Sequence, residues 1–188
     1  AKSPQQMFGA VIKTYYAKKA EIDPKNICSV SVMPCTAKKF ECKRSEMCDS
    51  GYQDVDISIT VEELAKMIRT AGIHFDDLED QEFDSPFGLG SGAGQIFGTT
   101  GGVMEAALRT VYEVVTGETL PRLEFDQVRG TEGIREAEID LNGMKVRVAV
   151  VHGLSNARKV LDEVKAGTSP YQFIEVMACE GGCIGGGG

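Results

Sequence analysis

Apolar positions in this chain follow two periods, and segments with the two periods alternate along most of its length. Apolar residues spaced by three and four predict helices with one buried face, whereas alternation by two predicts strands. The predicted helices cover 4–16, 61–71, 101–116 and 156–165. The predicted strands cover 27–33, 55–59, 123–128, 136–141, 145–151 and 173–177. This order predicts the α/β class, with a mixed twisted sheet, flanking helices and one antiparallel hairpin.

Cap and turn residues locate several ends of these elements. Thr60 and Glu63 have the spacing of a capping box at the start of the second helix. Asn142-Gly143 lies between two alternating strands and predicts a tight hairpin turn. The predicted caps of the other helices are Ser3, Thr100 and Ser155.

Length and composition are those of a single globular domain. The chain has 188 residues, 42% of them hydrophobic and 26% charged, and we expect one α/β unit over 1–188. Its net charge of −8 argues against nucleic acid as a partner. The sequence contains no run of about 18 apolar residues, so it predicts no membrane-spanning helix. No signal peptide is visible. We expect a cytoplasmic protein, with a periplasmic location left open.

Both ends of the sequence look cut. It begins Ala-Lys-Ser-Pro without an initiator Met, and it stops inside a run of glycines. We therefore expect a piece of a longer protein, truncated at both ends.

Three of the six cysteines lie in strongly patterned segments. Cys179 and Cys183 stand among six glycines, which let a backbone approach a bulky ligand closely. The segments 32–35 and 176–179 both read Val-Met-x-Cys, so each predicted strand delivers a Met and then a Cys at its carboxyl end. Open α/β sheets build their sites at that edge. The pattern predicts one pocket that holds Cys35, Cys179 and Cys183.

The chemistry of this pocket is that of a soft metal. Thiolates hold iron–sulfur clusters, which take four cysteines in a 4Fe–4S cube, and they also hold zinc, which takes four ligands. With three cysteines, both possibilities remain open. Lys38 would share a helix face with Cys35, where an ammonium group would stabilise an anionic cluster.

The remaining candidates have simpler interpretations. Cys28 is expected as a small buried residue of the first strand. Cys42 and Cys48 are expected as unligated thiols, although a metal site or a surface pair remains open. The stretch 88–102 carries seven glycines, but no register fits G-x-G-x-x-G, so we reject a nucleotide loop and expect a mobile or closely packed segment.

Longer motifs lead to a known family. The segments Met33-Pro-Cys-Thr-Ala-Lys-Lys-Phe-Glu41 and Glu175-Val-Met-Ala-Cys-Glu-Gly-Gly-Cys-Ile-Gly-Gly-Gly-Gly188 resemble two of the three signature segments of the iron-only (di-iron) hydrogenases. Shorter segments that are also similar are Ser-Pro-Gln-Gln at 3–6, Ser-Gly-Ala-Gly at 91–94 and Thr-Gly-Gly-Val-Met-Glu-Ala at 100–106. The third signature, with two adjacent cysteines, would precede Ala1.

The resemblance implies an H-cluster, in which a 4Fe–4S cube is joined to a di-iron unit with carbonyl, cyanide and a bridging azadithiolate. Cys35 and Cys179 would hold the cube, and Cys183 would join it to the di-iron unit. Lys38 would hydrogen-bond a cyanide, with Glu41 as a supporting carboxylate. The residues that would line the di-iron pocket are Met33, Met177, Phe97 and Met104.

The implied protein is one lobe of an iron-only hydrogenase catalytic domain, which reversibly reduces protons to dihydrogen. The implied partners are the remaining N-terminal part of that domain and electron donors that are ferredoxin-like or linked to NAD(P)H. The chain alone is expected to be inactive. Two alternatives are a non-catalytic iron–sulfur carrier or assembly relative and a zinc-stabilised structural domain.

Overall fold

The computed structural model describes residues 2–121, 126–127 and 132–188, with the backbone alone described at 126–127. Contacts divide the chain into two compact units, Ala1–Leu89 with Gly186–Gly188, and Gly90–Gly185. Each unit contains its own sheet, of two strands in the first and four in the second. The expectation of one α/β domain over 1–188 stays a prediction.

The first unit is built on two short parallel strands. Its elements in order are α1 Pro4–Val11, a π-helical segment Ile12–Tyr16, α2 Ala17–Lys19, a 3-10 turn Pro24–Asn26, β1 Val30–Met33, α3 Ala37–Glu41, β2 Ile57–Thr60, α4 Val61–Thr70 and a second 3-10 turn Phe75–Asp77. Val30 pairs with Ile57 and Met33 with Thr60. The predicted capping box is confirmed, because the Thr60 hydroxyl accepts from the Glu63 backbone and the Glu63 carboxylate accepts from the Thr60 backbone.

Strand β1 is shorter than predicted, and its environment differs from the prediction. The N–H of Ser29 donates to the Asp56 carboxylate, and its carbonyl accepts from the N–H groups of Asp56 and Ile57, so the paired residues of the two strands begin only at Val30 and Ile57. Cys28 therefore lies before β1 and is exposed, so the expectation of a buried strand cysteine was wrong. Val30 and Val32, which carry the apolar pattern, are 52% and 42% exposed.

Polar side chains form much of the interior of this unit. The buried ammonium group of Lys13 binds the carboxylate of Asp56 at 2.7 Å, and Asp56 also accepts from the Ser29 backbone at 2.7 Å. Gly9 of α1 lies so close to the 54–55 backbone that an added Cβ would stand 2.6 Å from the carbonyl oxygen of Asp54. Buried charges are tolerated here because each one is paired.

The second unit is a four-stranded mixed sheet with helices on both faces. Its elements in order are α5 Gly92–Ile96, α6 Gly102–Thr116, β3 Asp126–Gln127, β4 Ile134–Leu141, β5 Met144–His152, α7 Leu154–Ala166, β6 Phe173–Met177 and a 3-10 turn Cys183–Gly185. The strand order is β3-β4-β5-β6, in which β5 and β6 are parallel and the other pairs antiparallel. Asn142 and Gly143 have positive φ, which confirms the predicted hairpin turn.

Alternation along the central strand β5 sends successive side chains to opposite helices. The cluster that includes α6 residues consists of Met104, Leu108, Leu120, Ala137, Ile139, Leu141, Val148 and Val150. The cluster that includes α7 residues consists of Ile134, Ala149, Val151, Ala157 and Val160. The predicted α/β class with a mixed sheet is thus confirmed within this unit.

Two predicted helix caps were wrong. The N-caps of α6 and α7 are Gly101 and Gly153, and neither Thr100 nor Ser155 takes that position. Of the strand predicted at 123–128, only 126–127 lie among the described residues, and they form β3. Within the described residues, no helix combines the length and apolarity needed to cross a membrane.

Asp54 provides a test of the polar interior of the first unit. Its carboxylate is 0% exposed and accepts from the Lys2 ammonium group at 2.9 Å and from the backbone of Asp49 at 3.1 Å and of Ser50 at 3.0 Å. Burial opposes ionisation, but the hydrogen bonds from Lys2 and Ser50 outweigh it, so the pKa of Asp54 lies below its ordinary value. The stabilisation is therefore present above the unfolded-state pKa, about 3.9, and is lost as pH falls through the folded-state pKa.

We predict that Asp54→Asn lowers the free energy of unfolding at pH 7 by about 1–3 kcal/mol. The difference from wild type should shrink as pH falls below about 4. Urea titrations across this pH range measure both effects, with Asp80→Asn, at an exposed position, as the control. An equal difference at pH 7 and pH 3 would contradict the proposed role of ionised Asp54.

Candidate functional site

The first cysteine segment follows the carboxyl end of β1. The strand ends at Met33, which is half-buried, Pro34 prevents its continuation, and buried Cys35 lies two residues beyond the strand. Helix α3 begins at Ala37 and carries Lys38 on its first turn. The predicted order of Met, Cys and helical Lys after a strand is confirmed within this unit.

Lys38 and Glu41 form a partly buried ion pair on α3. The Lys38 ammonium nitrogen lies 3.6 Å from the Glu41 carboxylate, and the two side chains are 16% and 13% exposed. Ser3 holds the same carboxylate with two hydrogen bonds, from its backbone N–H at 2.8 Å and from its hydroxyl at 2.7 Å. Glu41 is therefore fixed from outside its own helix, and it restrains the Lys38 side chain.

The last glycine of the chain belongs to this first unit. A Cβ added to Gly188 would lie 2.6 Å from the Thr60 methyl carbon and 3.5 Å from the backbone nitrogen of Cys35. The end of the glycine run thus packs against the backbone of the first cysteine segment, where a larger side chain would not fit.

The second cysteine segment follows the carboxyl end of β6. The strand ends at Met177, and Cys179 lies two residues beyond it, as Cys35 does after β1. The chain then turns, with the N–H of Gly182 donating to the carbonyl of Cys179 at 3.2 Å, and enters the 3-10 turn at Cys183. Both cysteines are half-buried.

Residues 179–183, which we call the cysteine turn, are bonded to the segment that precedes α6. The N–H of Thr100 donates to the carbonyl of Gly181 at 3.0 Å, and the N–H of Ile184 donates to the carbonyl of Gly98 at 3.1 Å. Gly182 lies between these two bonds with φ +96°, and a Cβ there would stand 2.6 Å from the Gly98 oxygen and from the Thr100 nitrogen. Only glycine fits this position without displacing the backbone.

A third tie comes from a buried carboxylate. Glu175 of β6 is 8% exposed, and its two oxygens accept from the backbone N–H groups of Gly101 at 2.6 Å and Met104 at 2.7 Å. These donors belong to the first turn of α6, where N–H groups have no partner within the helix. Glu175 of strand β6 thus provides the side-chain cap of α6 that was expected from Thr100. The buried Thr100 hydroxyl has no hydrogen-bond partner among the described residues.

The structure distributes the predicted site residues between the two units. Cys35, Met33, Lys38 and Glu41 lie in the first unit, and Cys179, Cys183, Met177, Phe97 and Met104 lie in the second. Phe97 is the half-buried residue after α5, whereas Met104 is fully buried in the core cluster of α6. Within either unit, the described residues include no group of three or more His, Cys, Asp or Glu arranged to hold a metal ion. A common pocket for the three cysteines stays a prediction.

Sequence reasoning missed Glu175 and the specific requirement for Gly182. The signal for Glu175 was present, because it is the one charged residue in the apolar strand Phe173–Met177. Such a residue must be paired if it is buried.

Cys42 and Cys48 of the first unit lie apart from strand ends. Cys42 is buried and its thiol donates to the Lys39 carbonyl, while Cys48 is exposed and its thiol donates to the Ser45 carbonyl.

Comparison with known proteins gives a match over nearly the whole chain. Residues 1–187 match the family model described as the iron-only hydrogenase large subunit, C-terminal domain. The chain is 53% identical over 188 residues to the NADP-reducing hydrogenase subunit HndD of Solidesulfovibrio fructosivorans, covering 100% of this chain and 32% of that protein. It is also 53% identical to the periplasmic Fe hydrogenase large subunit of Nitratidesulfovibrio vulgaris, of which it covers 44%.

Solved structures show the same similarity. A structure of FeFe-hydrogenase HydA(deltaEFG) matches with a TM-score of 0.79 and 42% identity, covering 100% of this chain and 54% of that one. More distant relatives include the cytosolic Fe-S cluster assembly factor narfl of Xenopus tropicalis, which is 31% identical over 193 residues, with 100% of this chain and 40% of that protein covered. The chain thus spans less than half of the length of these curated relatives.

The close approach at Gly182 can be tested with two neighbouring glycines. Gly181 and Gly182 both have positive φ, but a Cβ at Gly181 would have no neighbour within 4 Å. Both alanine variants therefore carry backbone strain of about 1–3 kcal/mol, and Gly182→Ala adds a clash with backbone atoms. We predict that Gly182→Ala lowers the free energy of unfolding by at least about 1 kcal/mol more than Gly181→Ala.

Gly182→Ala should also speed the reaction of Cys179 and Cys183 with a thiol reagent, because the turn separates from 98–100. Denaturant titration and labelling rates by mass spectrometry measure these effects. Equal stability and equal labelling in the two variants would contradict the close approach.

Proposed function

Because the chain belongs to the iron-only hydrogenase family and matches the C-terminal domain of its large subunits, we propose that it forms part of the catalytic domain of such a hydrogenase. The observation that carries the proposal is the repeated arrangement of Met and Cys at strand ends. In each unit a strand closes with Met, and a Cys follows two residues later, inside the family match. The proposed reaction is the reversible reduction of protons to dihydrogen.

The donor atoms suit an H-cluster. Cys35, Cys179 and Cys183 offer thiols, the ligands that iron–sulfur clusters require. We propose that Cys35 and Cys179 hold the 4Fe–4S cube and that Cys183 joins the cube to a di-iron unit with carbonyl, cyanide and azadithiolate ligands. The cluster supplies the electron transfer and the site of proton reduction, while the protein supplies the ligands, the orientation and the surrounding charges. Gly182 and Gly188, which leave no room for a side chain, keep the backbone close to the cysteines.

Lys38 is proposed to bind an anionic cyanide ligand of the di-iron unit. Its ammonium group has three N–H donors. Glu41 lies 3.6 Å away and orients the Lys38 side chain, while two hydrogen bonds from Ser3 hold the Glu41 carboxylate in place. A partly buried ammonium group attracts an anionic ligand more strongly than an exposed one does. Glu41 acts in this proposal by holding Lys38.

Thioethers and one aromatic ring are proposed to line the di-iron pocket. Met33 and Met177 are the last residues of β1 and β6, and both are half-buried. Their soft, polarisable sulfur atoms suit an apolar wall next to a metal centre. Phe97 is proposed as a further wall. Met104 is proposed to support this wall from the core cluster, where it is fully buried.

The proposed partners are the remaining N-terminal part of the catalytic domain and an electron donor. One relative at 53% identity is named as an NADP-reducing hydrogenase subunit, which supports a donor linked to NAD(P)H, and a ferredoxin-like donor is the other proposed class. Another relative is named periplasmic, so the cytoplasmic location stays a prediction for this chain. The assembly relatives are less similar, at 31% against 53% identity over the same span, which favours the hydrogenase.

Cysteine substitutions test the proposed ligand set in the complete hydrogenase that contains this chain. We predict that Cys35→Ser and Cys179→Ser each lose most of the cube iron, and that Cys183→Ser keeps the cube but loses the infrared bands of iron-bound carbonyl and cyanide. Cys28→Ser, at an exposed cysteine, should change neither. Iron analysis and infrared spectroscopy decide the result. A wild-type enzyme without carbonyl and cyanide bands would contradict the proposed function.

Lys38 and its neighbour form a matched pair for a second test. We predict that Lys38→Asn in the complete enzyme loses most hydrogen evolution and weakens the cyanide bands while the cube iron stays bound. Loss of a hydrogen bond to a charged group costs about 1.5–3 kcal/mol, enough to misplace the di-iron unit. Lys39→Asn should retain activity, since Lys39 bonds to Glu63 at a more exposed position. Full turnover in Lys38→Asn would contradict the role of Lys38.

A further inference from the structure

Glu175 joins two segments that are distant in sequence. Its carboxylate accepts from Gly101 and Met104, which are 74 and 71 residues away in the chain, at 2.6 and 2.7 Å. Both oxygens act as acceptors, the pattern of an ionised carboxyl group. Hydrogen bonds to a charged acceptor are about twice as strong as neutral ones. The contact therefore fixes the first turn of α6 against strand β6.

The same two segments are also joined within the cysteine turn and just after it. Thr100 bonds to Gly181, and Gly98 bonds to Ile184, so that the stretch 98–104 is connected to the stretch 175–184 at three successive places. Cys179 lies between the first and the second of these connections, and Cys183 lies between the second and the third. The cysteine turn is thus held in a closed ring of backbone and carboxylate contacts, to which Glu175 contributes a side chain.

Strand geometry adds a second relation between Glu175 and the cysteines. Glu175 and Met177 are two residues apart in β6 and share a face of the strand. Parallel pairing of Val150 with Glu175 and of His152 with Met177 sets the register of this end of β6. The buried carboxylate of Glu175 lies four residues before Cys179 in the chain, in the unit that carries both cysteines.

We propose that Glu175 is the positioning residue for Cys179 and Cys183, and that its charge keeps the reduction potential of a cluster bound to these thiols low. This inference rests on the proposed function. Reduction adds negative charge to an iron–sulfur cluster, and a nearby negative charge opposes that step. The N-terminus of α6 offsets only part of the carboxylate charge, since a helix end contributes roughly half an elementary charge.

The test compares Glu175→Gln and Glu175→Asp with wild type in the complete hydrogenase. Gln removes the charge and turns an NH₂ group toward one of the two backbone donors. Asp keeps the charge, but its shorter side chain cannot reach both donors. Glu138→Gln is the matched control, because Glu138 is a 45% exposed carboxylate of the same unit, bonded to Lys145.

Two measurements distinguish the positioning role of Glu175 from the effect of its charge on the reduction potential. Redox titration followed by electron paramagnetic resonance gives the reduction potential of the cube, and hydrogen exchange followed by mass spectrometry gives the protection of the Gly101 and Met104 amides. Glu175→Gln should shift the potential in the positive direction and speed exchange at these amides at least about tenfold. Glu175→Asp should speed exchange while its potential stays near wild type. The control should change neither.

The possible outcomes decide the inference in either direction. Unchanged exchange in both Glu175 variants would overturn the positioning role, and an equal shift of potential in Gln and Asp would overturn the charge effect. If Glu175→Gln does not fold, the combination of faster exchange and unchanged potential in Glu175→Asp supports the inference, and wild-type exchange overturns it. A wild-type enzyme without a cube refutes the proposed function instead, while the exchange comparison still tests the positioning.

Discussion

A carboxylate that must be paired controls the arrangement of the cysteine turn. Glu175 lies in an apolar strand, and burial of its charge would be costly without the two backbone donors of α6. Helix α6 in turn starts after Gly101, which provides no side-chain cap of its own. Each element therefore satisfies the other, and the start of α6 is fixed relative to the end of β6.

Close backbone packing at glycines further restricts the segments that carry the cysteines. Gly182 lies against the Gly98–Thr100 backbone at distances that exclude a Cβ, and Gly188 lies as closely against Thr60 in the first unit. The glycines near the cysteines are therefore not merely flexible, because several of them are sites of contact. In a metalloprotein such packing restricts the positions that the thiols can take, which favours one ligand geometry over others.

In the first unit, paired charges fix the segments around the site residues. Glu41 is held by Ser3 and lies beside Lys38, while Asp54 and Asp56 accept hydrogen bonds from lysines and from backbone N–H groups. These carboxylates connect the N-terminal helix to the segments around β1 and α3. The proposed role of Lys38 depends on this network, since a lysine on a mobile surface helix would not hold one orientation.

The sequence by itself determined the elements whose signals are local. The capping box at Thr60, the Asn142-Gly143 turn and strand Phe173–Met177 agree with the structure because neighbouring residues decide them. The repeated Val-Met-x-Cys pattern likewise located Cys35 and Cys179 just beyond strand ends. Only the tertiary structure decided the cap of α6, the start of β1 at Val30 and the division into two units. These features depend on partners distant in the chain, which no local pattern encodes.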